Sequence, residues 1–319
     1  MTMFRCALVV LFCSAIPVRP AAAADIILDN ETVCASLGGT WSSEGDACAV
    51  KRLTVPAGTR LLIPGGVTLA TGDLVIDGYL EIRGGFEPTG ELLNRGTFVT
   101  RAFIVSQAQV LNRGSWLNEA TFLSDETVEN DWYFENRGTF QVRSGAFINV
   151  MLTVIDPGGQ IWNSGGRMVN EGYVSNGGYL FNPAGATIDN AGVITTYDAT
   201  FFNYGKTVGQ CGSASYVRFP GILVGNPIEL APCTAAGAVG ALADYVFELA
   251  KERLLDKHDG VDWRNLLKKS AKRLEKGERA EGLALLQAFI QEVPAKTGPP
   301  VREVLLARGY RALEIVTTP

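Results

Sequence analysis

Histidine is almost absent from this chain of 319 residues. One occurs, His258, between Lys257 and Asp259 in a charge-rich tail. A Ser/His/Asp triad or a His-built metal site would have to use that single residue, and no Cys-x-x-Cys pair exists to bind zinc without it. His258 reads as an exposed loop residue, and no metal is expected. Basic side chains are also scarce: residues 25 to 250 carry 12 Lys or Arg against 23 Asp or Glu. A body with a net charge of −11 excludes a nucleic-acid backbone as its partner. No Gly-rich phosphate loop follows a strand and opens a helix, so no cofactor is expected either.

Long apolar runs are missing beyond the first two dozen residues. Nothing there approaches the ~20 apolar residues of a transmembrane helix, so no membrane span is expected. Met1 to Ala24 has a basic start (Arg5), an apolar run from Cys6 to Val18 and a small-residue stretch, the pattern of a secretory signal peptide cleaved before Asp25. Phe12 stands before Cys13 where a lipid anchor needs a small residue. "VPAKTG" at Val293 lacks the spacing and the apolar tail of a wall-sorting signal. The expected destination is secretion, the cell surface or the periplasm. Removing the signal leaves 26 basic against 33 acidic residues, a net charge of −7. Residues 251 to 319 hold 14 basic and 10 acidic residues, so a +4 tail follows the acidic body and the chain divides into two parts of different chemistry.

Four cysteines survive processing. Export and short separations favour Cys34 with Cys48 and Cys211 with Cys233. A closed loop of ~15 residues is worth roughly 3 kcal/mol by chain entropy. The first pair closes an N-terminal cap over residues 25–50, with Trp41 available to lie over the first coil, and the second closes loop 211–233. Both would cover the open ends of a stack of strands.

What the chain has in abundance is a short word. Asn-Arg-Gly occurs at Asn94, Asn112 and Asn136, each time followed by an aromatic residue (Phe98, Trp116, Phe140), at separations of 18 and 24. From Met168 the pattern is a hexad, Asn-x-Gly-x-apolar-x, with Asn170, Asn176, Asn182 and Asn190 all at even positions. Strand side chains alternate between faces, so Asn, Gly and the apolar residue share one face. Glu171, Tyr173, Ser175, Tyr179, Thr187 and Asp189 share the other, which reads as solvated. A buried amide without partners costs several kcal/mol, so an inward Asn every six residues belongs at a corner of a coil, bonded to the bend and to the Asn of the next coil. Glycine supplies freedom and clearance there. Three hexads make an 18-residue coil. A β-sandwich would give strands and turns without requiring one parity and a period of six. The fold class expected is mostly β, a single-stranded parallel β-helix or solenoid over residues 51–233, followed by a small all-α domain over 238–316.

After Cys233 the period changes to about 3.6. Leu242, Tyr245, Val246, Leu249 and Leu254 form one stripe, Trp263, Leu266, Leu267 and Leu274 a second, Leu283, Leu286, Phe289, Ile290 and Val293 a third, and Val304, Leu305, Tyr310 and Leu313 a fourth. "HDGVD" places an N-cap at Asp262, and "TGPP" separates the last two helices. The segment Leu266 to Gly298, with its Lys/Arg-rich helix, the turn at Gly277 and Phe289-Ile290, resembles the FIMAH-type helical domain of secreted bacterial proteins. The Asn-x-Gly repeats and the Cys…Gly-Gly-Thr-Trp…Cys loop resemble bacterial secreted β-solenoids of the adhesin type. These resemblances imply an accessory module and surface biology, without implying catalysis.

Two functions are open at this point. Parallel β-helices often act on polysaccharides, and Asp73, Asp77, Glu81, Glu171 and Asp189 could meet across coils as the acid pair of a lyase or glycoside hydrolase. A solvated acidic face is the simpler reading, and no catalytic residue is assigned. The favoured reading is a non-catalytic exported surface or matrix protein for adhesion, with an extracellular polysaccharide or cell-surface component as partner. Its ligand surface would be Tyr173, Tyr179, Tyr197 and Tyr204, with Phe181 nearby and Phe202 more suited to packing. The basic stripe Lys268, Lys269, Lys272, Arg273 and Lys276 would bind an acidic polymer or the protein's own acidic rod, or would simply be solvated.

Overall fold

The hexads close into a three-sided coil that repeats about nine times. In the computed structural model, residues 24–164, 166–218 and 221–318 are described, and the expected signal segment up to residue 23 lies outside them. Strands stack into a 10-stranded face A, a 12-stranded face B and a 7-stranded face C, visited in the order B, A, C. Every pairing is parallel except the first hairpin, where Thr40–Ser42 runs antiparallel to Ala47–Val55. Each coil buries the same set of positions. Phe98, Trp116 and Phe134 stack on face A, Phe122 and Phe140 on face C, and Leu92, Val110 and Val128 on face B. Their rings interlock, Trp116 lying 5.5 Å from Phe98 and 4.7 Å from Phe134.

Register explains the spacing of the Asn-Arg-Gly words. Asn94 and Asn112 are direct partners one coil apart at the corner between faces B and A. Asn136 sits at the next corner, between A and C, above Asn118. Eighteen residues are therefore one coil, and twenty-four are one coil plus one side. At the B–A corner Nδ2 of each Asn donates to Oδ1 of the next, from Asn94 through Asn112, Asn130, Asn149 and Asn170 to Asn190, at 2.6–2.9 Å. The same nitrogens donate to backbone carbonyls across the bend, as Asn94 does to Ser115 at 3.0 Å. The amides are thus satisfied without water. Asn118, Asn136 and Asn176 occupy the A–C corner, where Ile155 breaks the ladder. Asn163, Asn182 and Asn203 occupy the C–B corner. That ladder starts at Asn163, whose Oδ1 has no hydrogen-bond partner among the described residues, the residue beneath it being Val142.

The corner glycines are there for clearance. A Cβ on Gly96, Gly114 or Gly138 would run into a carbonyl of the coil below, while none of the three has a positive φ. The Arg of each word points outward to an acid one coil away. Arg95 pairs with Asp77 at 2.7 Å, Arg113 with Asp131 at 3.1 Å, and Arg137 with Asp156 at 2.9 Å.

Both ends are closed. Helix α1 (Glu31–Ser36) is tied by the Cys34–Cys48 disulfide to the first face-B strand, and Trp41 packs on the first-coil core. The rod begins inside the segment expected as a cap: Ala24–Ile27 already pairs with Thr59–Ile63, and Ala47–Val55 with Thr68–Ile76. At the far end Leu223 and Ile228 lie over the core. The Cys211–Cys233 disulfide joins the last coil to the start of the helical domain, α2 (Ala235–Lys251), α3 (Lys257–Glu275), α4 (Arg279–Lys296) and α5 (Val301–Thr317).

Two helical expectations change. The N-cap of α3 is Asp256, whose carboxylate accepts from the amides of His258 and Asp259, so "HDGVD" is the first turn of the helix rather than a break before it. His258 is exposed, but on that helix, with Nδ1 3.0 Å from Asp262 one turn on. Tyr310, assigned to the fourth apolar stripe, is 53% exposed, and the buried face of α5 runs instead through Val304, Leu305, Arg308 and Ala312.

Candidate functional site

The three outer faces differ, and the helical domain decides part of the difference. It lies along the flank of face A, where Met151, Leu152 and Val154 are buried with Val246, Leu249 and Leu305, and Trp132, Tyr133, Val150 and Tyr173 pack against it. The Tyr245 hydroxyl donates to the Val150 carbonyl at 2.7 Å. The Arg308 guanidinium stacks 3.9 Å from the Tyr245 ring and donates to the Glu171 carbonyl, and Arg311 donates to Ser213 O at 2.9 Å. Of the outward residues that read as solvated, Tyr173 is therefore covered, a packing residue of this interface.

The uncovered part of face A carries a net of charges that continues along its corner with face C. Glu81 is 1% exposed, with Oε1 receiving Arg83 at 2.6 Å and Arg101 at 2.8 Å and Oε2 receiving Arg60 and the Tyr79 hydroxyl at 3.0 Å. Burial alone would raise its pKa, but these donors outweigh that and hold the carboxyl below its ordinary range. Arg101 continues to Glu119, and Arg137 joins Glu119, Glu135 and Asp156. Asp73 and Asp189 are paired with Arg52 and Arg167, and the Arg52 hydrogen bond lowers Asp73. The acids that could have formed a catalytic pair are thus mostly clamped by guanidinium, a poor state for a general acid. Glu129 is the contrary case. Burial first, and the neighbouring Asp131 second, push its pKa up, but Asp131 is held by Arg113.

Face C has a different character. Among its described strands no outward residue is charged, from Val105 and Leu123 through Gln141, Trp162 and Phe181 to Phe202 and Val224. Trp162, Phe181 and Phe202 stack at 3.8 and 4.6 Å with planes within 10°. Tyr179, 40% exposed, lies 6.4 Å from Phe202, and Tyr204, 51% exposed, lies 6.4 Å from it on the other side. Tyr204 also walls a groove of about 470 Å³ floored by Gly185, Ala186 and Gly205 and edged by Thr187, Asn226 and the Lys206–Glu229 pair at 3.6 Å. This groove lies four coils from Glu129 along face B.

The tyrosines of the sequence reading therefore separate. Tyr179 and Tyr204 meet through Phe202, Tyr197 stands apart at the A–C corner, 61% exposed, and Tyr173 is on another face. Phe202 packs, as part of the open ladder. Trp162 also faces outward here, although its even number suggests an inward position. No protein-family model, no curated protein and no solved structure matches the chain.

Proposed function

We propose that this is an exported, non-catalytic surface or matrix protein whose rod serves adhesion, with face C and the adjoining groove taking a polysaccharide chain of the cell surface or extracellular matrix. The observation that carries this reading is the contrast between an uncharged, aromatic, uncovered face and the acid–guanidinium networks elsewhere on the rod. Stacked rings lend each other their faces, so the Trp162–Phe181–Phe202 ladder is a stiff apolar floor. Tyr179 and Tyr204 at its margins supply ring surface and hydroxyls. Thr187, Asn226, Lys206 and Glu229 supply the polar contacts that a sugar's hydroxyls need, and a mostly apolar site with few polar groups is the usual form of such a surface. The helical domain, on its likeness to FIMAH-type modules, is the accessory part. Two disulfides suit an oxidising compartment.

A glycan array followed by calorimetry on the mature protein tests the reading. Retention of a neutral glycan, weakened roughly tenfold or more by Tyr179→Ala with Tyr204→Ala (about 1.4 kcal/mol), supports it. Retention unchanged by both substitutions removes face C from the function. Turnover of a uronate-containing glycan would favour the competing class, a lyase or hydrolase, for which the Glu129–Asp131 pair is the place to look.

A further inference from the structure

The basic stripe of α3 is only partly matched by charges among the described residues. Between Arg264 and Lys276 there are six basic residues and one acidic. Arg273 is neutralised by Glu278 and Glu281, and Lys268 reaches Asp244 at 3.8 Å. Lys269, Lys272 and Lys276 are exposed and form no ion pair with any described residue. They recur three and four residues apart, the spacing at which like charges weaken a helix. The helix dipole accounts for cations in the last turn but not for Lys268 and Lys269 above it. Nor does the stripe neutralise its own acidic rod. The domain is bonded to the rod through Tyr245 of α2 and through Arg308 and Arg311 of α5, while α3 packs on α2 and α4.

The complementary charge lies at the other end of the molecule. Residues 25 to 50 contain five acids and no Lys, Arg or His. Asp29 just before α1, Glu31 on it and Glu44 in the first hairpin are exposed, and none enters an ion pair with a described residue, unlike Asp73, Asp77 and Glu81 farther along the rod. The helical domain flanks coils between residues 132 and 213, so a chain cannot bring its own cap to its own α3.

We propose that the lysine face of α3 is a docking site for the acidic N-terminal cap of a second copy of this chain. The contact is heterologous, one surface against a different one, so a joined pair leaves one cap and one lysine face free, and further rods add at either end into open rows. Face C stays uncovered in such a row, and the proposal is independent of what that face binds.

Sedimentation velocity on the mature protein at about 0.01 M and about 1 M salt, where the screening length falls from roughly 30 to 3 Å, reads the association directly. Species larger than the monomer are expected at low salt and monomer at high salt. Lys269→Glu/Lys272→Glu/Lys276→Glu and, separately, Asp29→Lys/Glu31→Lys/Glu44→Lys are each expected to be monomeric at low salt, with helical circular dichroism unchanged. Mixed one to one, they are expected to associate again, because each then offers the charge that the other has lost. A monomeric wild type at low salt overturns the proposal. So does a pair of folded variants that fails to re-associate, an outcome that would assign the lysines to an acidic polymer instead. Should either triple variant unfold, the corresponding alanine triple, which removes charge without reversing it, must still lower low-salt association at least about tenfold, or the proposal fails.

Discussion

Faces A and C are made by the same repeat, from strands mostly four residues long, and their outer surfaces differ in charge and in cover. On face A the outward positions include Arg60, Tyr79, Glu81 and Glu135, joined through corner residues into a charge net with the uncharged Thr97, Val99, Ser115 and Leu117 between them, and then Leu152, Val154 and Tyr173 under α2 and α5. On face C they carry threonine, glutamine, aromatic and aliphatic residues, open to solvent. The repeat constrains the inward positions, where an Asn must find an Asn and a ring must find a ring. Outward positions are free to take any chemistry, so the function has to be sought in what differs between faces.

The largest expected effect removes what the faces share. Asn130→Ala deletes the acceptor of Asn112 and the donor to Asn149 and Leu152 in a fully buried ladder, and should cost about 2–4 kcal/mol in urea denaturation while leaving ligand retention intact at permissive temperature. Asn176→Ala, at the interrupted A–C ladder with its longer bonds of 3.2 and 3.3 Å, should lower the melting temperature less. Next in size is Arg308→Ala, which strips the Glu171 carbonyl of its donor and the Tyr245 ring of its cation. A loss of about 2 kcal/mol, with residues 235–317 cleaved by protease before the rod, would show face A uncovered. Melting of rod and domain as one unit would refute the division.

Glu81 gives a pH-dependent test of the charge net. Its carboxyl is held below the ordinary value, so its stabilisation is present above the unfolded pKa of about 4.3 and is lost as pH falls through the lower folded value. Urea midpoints of the wild type should fall between about pH 5 and about pH 3, and Glu81→Gln should flatten that fall while lowering stability at neutral pH by about 1–2 kcal/mol. The smallest structural effect belongs to face C. Tyr179→Ala and Tyr204→Ala should change stability by no more than about 0.5 kcal/mol, so any loss of binding they cause is a loss of contact and not of fold.

The coil was legible because a buried amide admits few environments, and even-numbered Asn170, Asn176, Asn182 and Asn190 required a stacked corner. The same parity hid Trp162. Asn136, Phe140 and Val142 face inward at even numbers, Phe147, Asn149, Ile161 and Asn163 at odd ones, and Met168 at an even one again. The turn at Ser144–Gly145, with Gly145 at φ +77°, shifts the phase, and by Met168 it is even again. A two-periodic pattern carries no marker of such a slip until the next Asn appears, and Phe147, Asn149 and Trp162 lie inside it. Tyr173 was misplaced for another reason. Nothing local to it announces α2 and α5, which approach from more than 60 residues away in sequence.

The Cys211–Cys233 disulfide holds two Cα atoms 4.8 Å apart, one on the last coil and one beside the first residue of α2. Whenever Tyr245 and Arg308 let go of the rod, the helical domain therefore stays leashed at its root, and re-docking is an intramolecular event with an effective concentration in the millimolar range. Reducing that one bond lengthens the leash by the whole loop and lowers that effective concentration.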